Sequence, residues 1–237
     1  MQPQMAGALP LLLVWERGQN LSPVRRAMYL ATVADPERPL EQFRAAPVGW
    51  RNRKLLELRR QWFGSLMEAS AVCSFCGARL EMRIPMEDLL AIDAWPEAAR
   101  GEIVAGGRRI GIRPAVIGDL LAIEGLDAGS AAGSLARACV DAGDAELEAG
   151  DWQAAAERLR ELDPLAEILF ALECAECGRD FSYPLDVPSF LWKEISAAAR
   201  RLILEVDALA RTYGWAEAEI LSMSPFRRKC YLDLLES

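Results

Sequence analysis

The 237-residue chain contains no histidine. That absence removes Ser-His-Asp and Cys-His nucleophilic catalysis, the His-Glu-x-x-His metalloproteases and every zinc site with an imidazole ligand. A metal held by this chain must be held by cysteine or carboxylate. Lysine is nearly missing as well. Lys54, Lys193 and Lys229 are the only ones, so arginine carries almost all the positive charge. The net charge is -8, whereas sequence-independent grip on nucleic acid needs a basic surface. Long apolar runs are absent too. The run from Ala8 to Trp15 is too short to span a bilayer, and Arg, Asp and Glu interrupt every later one before about 18 residues. The opening Met1-Gln-Pro-Gln-Met-Ala-Gly lacks the basic start of a signal peptide. The expected setting is therefore a reducing cytoplasm, without membrane contact. No Gly-rich phosphate loop, nucleophile elbow or paired-carboxylate signal is read either. The chain is thus expected to be no enzyme, with no catalytic residue, no organic cofactor and no small-molecule substrate.

What the chain does have is two matching cysteine knuckles. The first is Cys73-Ser-Phe-Cys76-Gly77 and the second is Cys174-Ala-Glu-Cys177-Gly178. Each knuckle supplies two thiolates, and a structural zinc site takes four ligands in a tetrahedron. Two knuckles therefore predict one closed, structural Zn²⁺ site formed by Cys73, Cys76, Cys174 and Cys177. In a reducing compartment, paired cysteines read as metal ligands before disulfides. A thioredoxin-like redox pair would sit at a helix N-terminus, but alternating, strand-like residues follow Gly77 and Gly178. Two separate zinc sites, completed by acidic residues or by another chain, form a further alternative. Cys139 and Cys230 fall inside predicted helices and are expected to be small core residues.

Periodicity predicts an α+β fold, mainly helical, with a small antiparallel zinc-ribbon-like β element built on the two knuckles. Residues 1–70 read as an arm to about 21 and then two helices. Ser22-Pro23 opens the first, which runs to about Ala34. The second runs from about Trp50 to Phe63, with Gly64 as its stop. Residues 71–188 read as the ribbon-like element. It contains a hairpin from Glu102 to Ile112, turned at Gly106-Gly107, and a helical insertion at about 114–163. Residues 189–237 read as helical: a long amphipathic helix capped at Pro188-Ser189 and stopped at Gly214, then two short ones, the last opened by Ser224-Pro225. The whole is expected to form one compact unit.

Three basic clusters remain: Arg25-Arg26, Arg51-Asn52-Arg53-Lys54 and Arg59-Arg60, with Arg108-Arg109 at the hairpin tip. A solvated helix face or turn is the plain reading, and an anion or nucleic-acid contact is the alternative. The stretch from Tyr213 to Arg228 has the outline of a helix-turn-helix, but Glu217, Glu219 and Asp233 count against DNA. Trp192, Tyr213 and Trp215 read either as interface anchors or as core aromatics.

Several strings also resemble a known family. They are Leu172-Glu-Cys174-Ala-Glu-Cys177-Gly178, Leu185-Asp186-Val187-Pro-Ser-Phe190-Leu-Trp192-Lys-Glu194, and Glu205 through Glu217. The string Ile220-Leu221 through Arg227-Arg228-Lys-Cys-Tyr231-Leu232 continues them, with Val48-Gly49-Trp-Arg51-Asn52 and Phe63-Gly64 in the first half. Here the chain resembles the baseplate proteins, including baseplate hub assembly chaperones, of contractile-tail phages and phage-like contractile injection systems. The Trp-x-Glu and Arg-Arg-x-x-Tyr-Leu elements are more specific than the knuckles. The resemblance implies a non-enzymatic structural or assembly protein whose partners are other baseplate or tail proteins. It would be cytoplasmic, or incorporated into a phage-like particle. The alternative is a zinc-ribbon nucleic-acid-binding or transcription regulator.

Overall fold

The computed structural model describes residues 8–92, 99–143 and 146–235. Its architecture is α+β, with helices around three small antiparallel sheets. The chain begins with α1 (Ala8–Gly18), α2 (Pro23–Ala34), α3 (Leu40–Ala45) and α4 (Val48–Phe63). The expected N-terminal arm is thus a helix from residue 8, and residues 1–7 of that arm lie outside the described residues. The reason is burial: Leu11, Leu12 and Val14 share one side of α1 and enter the main core. Pro10 sits in the first turn, where a missing N–H breaks no helical bond. Ser22 caps α2 as its sequence predicts, accepting from Arg25 N–H.

The first hairpin follows, β1 (Leu66–Val72) paired with β2 (Arg79–Pro85), and then the short helix α5 (Met86–Leu90). A second sheet takes β3 (Gly101–Ala105) and β4 (Arg108–Ile112) from the predicted Gly106-Gly107 hairpin. Helices α6 (Ile117–Ala122) and α7 (Ala128–Cys139) lead to β5 (Val140–Asp141), which adds to the β4 edge. The sequence reading extends the helix over this last pair. Val140 leaves it because β-branched Val140 fills the small core of the sheet, opposite Ile112. Helix α8 (Ala149–Leu162) packs on β3, and the segment with Ile103, Ile110, Ile112, Cys139, Ala155 and Leu162 shares a hydrophobic cluster of its own. Within the expected helical insertion, residues 144 and 145 lie outside the described set.

The last hairpin is β6 (Ile168–Glu173) with β7 (Asp180–Leu185). Helix α9 (Val187–Tyr213) then runs for 27 residues, about 40 Å at 1.5 Å per residue. Leu191, Ile195, Ala199, Leu202 and Leu209 form its buried stripe, against α1, α2 and α4. Its cap is Asp186, not Pro188-Ser189. The Asp186 carboxylate accepts from Ser189 N–H, which places Pro188 in the first turn, where it costs no hydrogen bond. Gly214 ends the helix at φ 70°, a left-handed geometry that suits glycine. Helices α10 (Glu217–Ser222) and α11 (Pro225–Asp233) fold back on α9. Among the described residues, no helix is long and apolar enough to cross a membrane.

Candidate metal centre

The two hairpins are built alike, residue for residue. In the first, Cys73 N–H donates to Ala78 O at 2.8 Å and Gly77 N–H donates to Cys73 O at 3.0 Å. In the second, Cys174 N–H donates to Arg179 O at 3.0 Å and Gly178 N–H donates to Cys174 O at 2.8 Å. Gly77 (φ 76°) and Gly178 (φ 66°) are both left-handed, which is why each knuckle carries glycine after its second cysteine. The turn closes the strands and leaves both sulfurs of a knuckle on one side.

The two knuckles then meet. All four sulfurs lie within 4.8 Å of one another. Cys73 Sγ is 3.8 Å from Cys177 Sγ, and Cys76 Sγ is 3.6 Å from Cys174 Sγ. The pairing is reciprocal, so the hairpins face each other about a local two-fold axis. Four sulfurs at about 2.3 Å from a zinc ion define a tetrahedron with edges of about 3.8 Å. The Cys73–Cys177 and Cys76–Cys174 separations match that edge, and with all four sulfurs within 4.8 Å of one another the cluster can hold a metal ion. Cys73 and Cys174 are buried, while Cys76 and Cys177 reach the surface. Above them, the Arg179 guanidinium lies 5.0 Å over the Phe75 ring, one knuckle covering the other.

The electrostatics of the bare cluster explain why a cation fits. The N–H of Cys76 donates to the Cys73 sulfur and leads a shift down to about 6. For Cys76, the Ala78 N–H favours the thiolate, but partial desolvation and the neighbouring sulfurs outweigh it and push the thiol up to about 12. Cys177 is raised as well: its Arg179 N–H favours the thiolate, but partial desolvation and the sulfurs of Cys174 and Cys73 prevail. One thiolate is thus tolerated, and further ones repel it. A divalent ion removes that repulsion and allows all four to ionise. Four thiolates also complete a tetrahedron, which leaves no open position for water or substrate.

The hairpins are anchored to the helices by charge. Arg59 of α4, its side chain only 4% exposed, grips Glu194 of α9 with two bonds of 3.0 and 2.7 Å. Its Nη1 also donates to Gly64 O and Leu66 O, where α4 hands over to β1. A second latch joins the start of α4 to the entrance of β6. Gly49 N–H donates to the buried Asp163 carboxylate at 2.9 Å, and Asn52 Nδ2 donates to Leu165 O at 2.8 Å. A Cβ on Gly49 would lie 1.7 Å from Asp163 Oδ1, so only glycine allows this approach.

Sequence alone reads the basic clusters as solvated or ligand-binding and does not show these anchors. Arg25, Arg60, Arg108 and Arg109 are exposed, as a solvated face or turn requires, but other arginines turn inward. Arg26 donates to Gly18 O at the end of α1 and to Gln19 O and Leu21 O just after it, and Arg53 donates to Leu90 O and Ile92 O. Buried Arg228 pairs with Glu205 at 3.0 Å and donates to Met223 O. The hairpin-tip Arg109, by contrast, makes a plain exposed pair with Glu102 at 3.2 Å. A signal was available: Arg51, Asn52 and Arg59 stand at helical spacing from Leu55, Leu56 and Trp62, on the buried side of α4. Of the cysteines outside the cluster, Cys139 is a core residue as expected, but Cys230 is exposed, because α11 turns its Arg228 side inward instead. Tyr213, Trp215 and Tyr231 stack together, with Tyr213 and Trp215 at 4.5 Å, and are half-buried. Trp192 lies under the Arg26 guanidinium and against Gly18. No known protein family, curated protein or solved structure matches this chain.

Proposed function

We propose that this chain is a non-enzymatic structural or assembly protein of a phage-like contractile tail or injection-system baseplate, stabilised by structural zinc at Cys73, Cys76, Cys174 and Cys177. The convergence of four sulfurs from two distant hairpins carries the reading. Such a site holds shape and offers no place for a reaction. Zinc fits better than harder divalent ions, because thiolates select soft or borderline metals.

The assembly half of the proposal draws on the family resemblance. Two of the strings behind it act in holding the fold: Glu194 of Trp-x-Glu clasps Arg59, and Arg228 of Arg-Arg-x-x-Tyr-Leu clasps Glu205. Leu204 and Phe226 are 69% and 79% exposed on the C-terminal helices, which suits a protein that docks on others. The net charge of -8 and the inward use of its arginines favour protein partners over nucleic acid. The place of action is the cytoplasm, where such particles are built.

The test is co-expression of tagged protein with the reading frames that flank its gene, followed by pull-down at physiological salt. Recovery of sheath, tube, spike or baseplate proteins is the expected result. Purification alone, together with salt-sensitive binding to duplex DNA, would overturn the reading in favour of a regulator.

A further inference from the structure

A cleft of about 320 Å³ opens where the start of α2 meets the start of α9. Its charged lining is Arg26, Arg51, Lys193 and Asp186, three cations against one carboxylate. The carboxylate is already committed. Asp186 accepts from Ser189 N–H at 3.1 Å and from Ser189 Oγ at 2.6 Å as the cap of α9.

Arg51 is the unusual member. It is only 7% exposed, and burial outweighs the pull of Asp186 and Asp163 to lower its pKa to about 10. Its guanidinium donates from Nε and Nη2 to the Asn52 amide oxygen, at 3.1 and 2.9 Å, and forms no ion pair with a described carboxylate. Asp186 and Asp163 attract it without pairing with it directly, and a buried cation held only at that remove is costly to keep. Here the cost coincides with an opening beside it, flanked by the N-termini of a 12-residue and a 27-residue helix. Arg26 is held rigid at the wall, with its guanidinium 4.4 Å over Trp192. Lys193 stands exposed at the rim.

We propose that this cleft binds a single oxyanion, a phosphate or carboxylate group, with Arg51 as its buried anchor and Lys193 as its rim contact. The group completes the hydrogen bonds of the planar guanidinium, whose fork matches either anion. The residues involved are separate from the cysteine cluster, so the site stands whether or not a metal is held there.

The experiment titrates the full, metal-loaded chain with sodium phosphate and, separately, with sodium acetate, holding ionic strength constant with sodium chloride. Arginine side-chain and tryptophan indole resonances report binding. A saturable shift with either anion, in the range of about 1–10 mM, is expected for a small ion in such a site. The tighter of the two anions identifies the chemistry of the natural ligand. Arg51→Gln should weaken binding at least about tenfold, as loss of a charged hydrogen-bond pair does. If that variant does not fold, Lys193→Glu, at an exposed position, should weaken binding several-fold on its own. No saturation by either anion below about 50 mM, or an unchanged affinity in Lys193→Glu, would overturn the proposal.

Discussion

Removing the metal should loosen the two hairpin tips and leave the helical layer standing. The magnitudes follow from how little else holds the tips. Each of these two sheets has only two strands, and a lone hairpin is marginal in water. Among the described residues, the buried ones shared between the tips are Ala71, Cys73, Cys174 and Phe181, with half-buried Ala78, Leu80, Met82, Leu172 and Tyr183 around them. The sulfur contacts join residues 104 and 98 positions apart. In the chain-entropy view, a cross-link closing a loop of about 100 residues is worth about 4.7 kcal/mol. Structural zinc in small peptides contributes about 10 kcal/mol or more. Either figure rivals the roughly 5–15 kcal/mol of a whole domain. The bases of the hairpins differ, since Met67 and Ile168 belong to the main core. Hydrogen exchange on chelated protein, and on a Cys76→Ser/Cys177→Ser variant, is the assay. Amides near residues 70–82 and 171–182 should lose protection by about 100-fold or more, while those of α9 change by less than about fivefold. Full protection of both tips in protein shown to be metal-free would refute the reasoning.

Other outcomes follow from the anchors. Arg59→Met strands Glu194 and two backbone carbonyls, and should cost about 3–5 kcal/mol in urea denaturation, against less than about 1 kcal/mol for breaking the exposed Arg211–Asp207 pair. Gly49→Ala forces a methyl into Asp163 and should cost about 1–3 kcal/mol. Combining it with Asp163→Ala should return part of that loss in a double-mutant cycle, whereas strict additivity would show the two do not collide. Burial holds the Asp163 carboxyl above its ordinary 3.8, against the opposing pull of Gly49 N–H and Arg51. The folded state therefore binds this proton more tightly than the unfolded chain. The group favours folding most at low pH, and that advantage is lost as pH rises from about 3.8 through the folded value. Asp163→Asn keeps an oxygen for Gly49 and should gain on the parent across that window, and a pH-independent difference would contradict this.

The knuckles were legible because their chemistry is local: a repeated cysteine spacing, a glycine where the turn needs left-handed backbone, and alternation on both sides. The helices with caps and stops in sequence, such as Ser22-Pro23 and Gly214, were legible for the same reason. What stayed hidden depends on distant partners. Residues 8–18 look like an apolar arm until α9 and α10 supply a surface for Leu11, Leu12 and Val14. Val140 looks helical until Ile112 offers it a strand to join. Arg59 and Arg228 look solvent-facing in a basic string, and only the approach of Glu194 and Glu205 turns them inward. Residue types gave the site, but tertiary pairing decided the roles of the arginines.

The most direct measurement is metal content of the purified chain combined with X-ray absorption at the zinc edge. One zinc per chain, surrounded by four sulfur scatterers at about 2.3 Å, is the predicted result. A chain that binds no zinc while all four thiols are reduced, or one whose zinc shows nitrogen or oxygen neighbours, would contradict it.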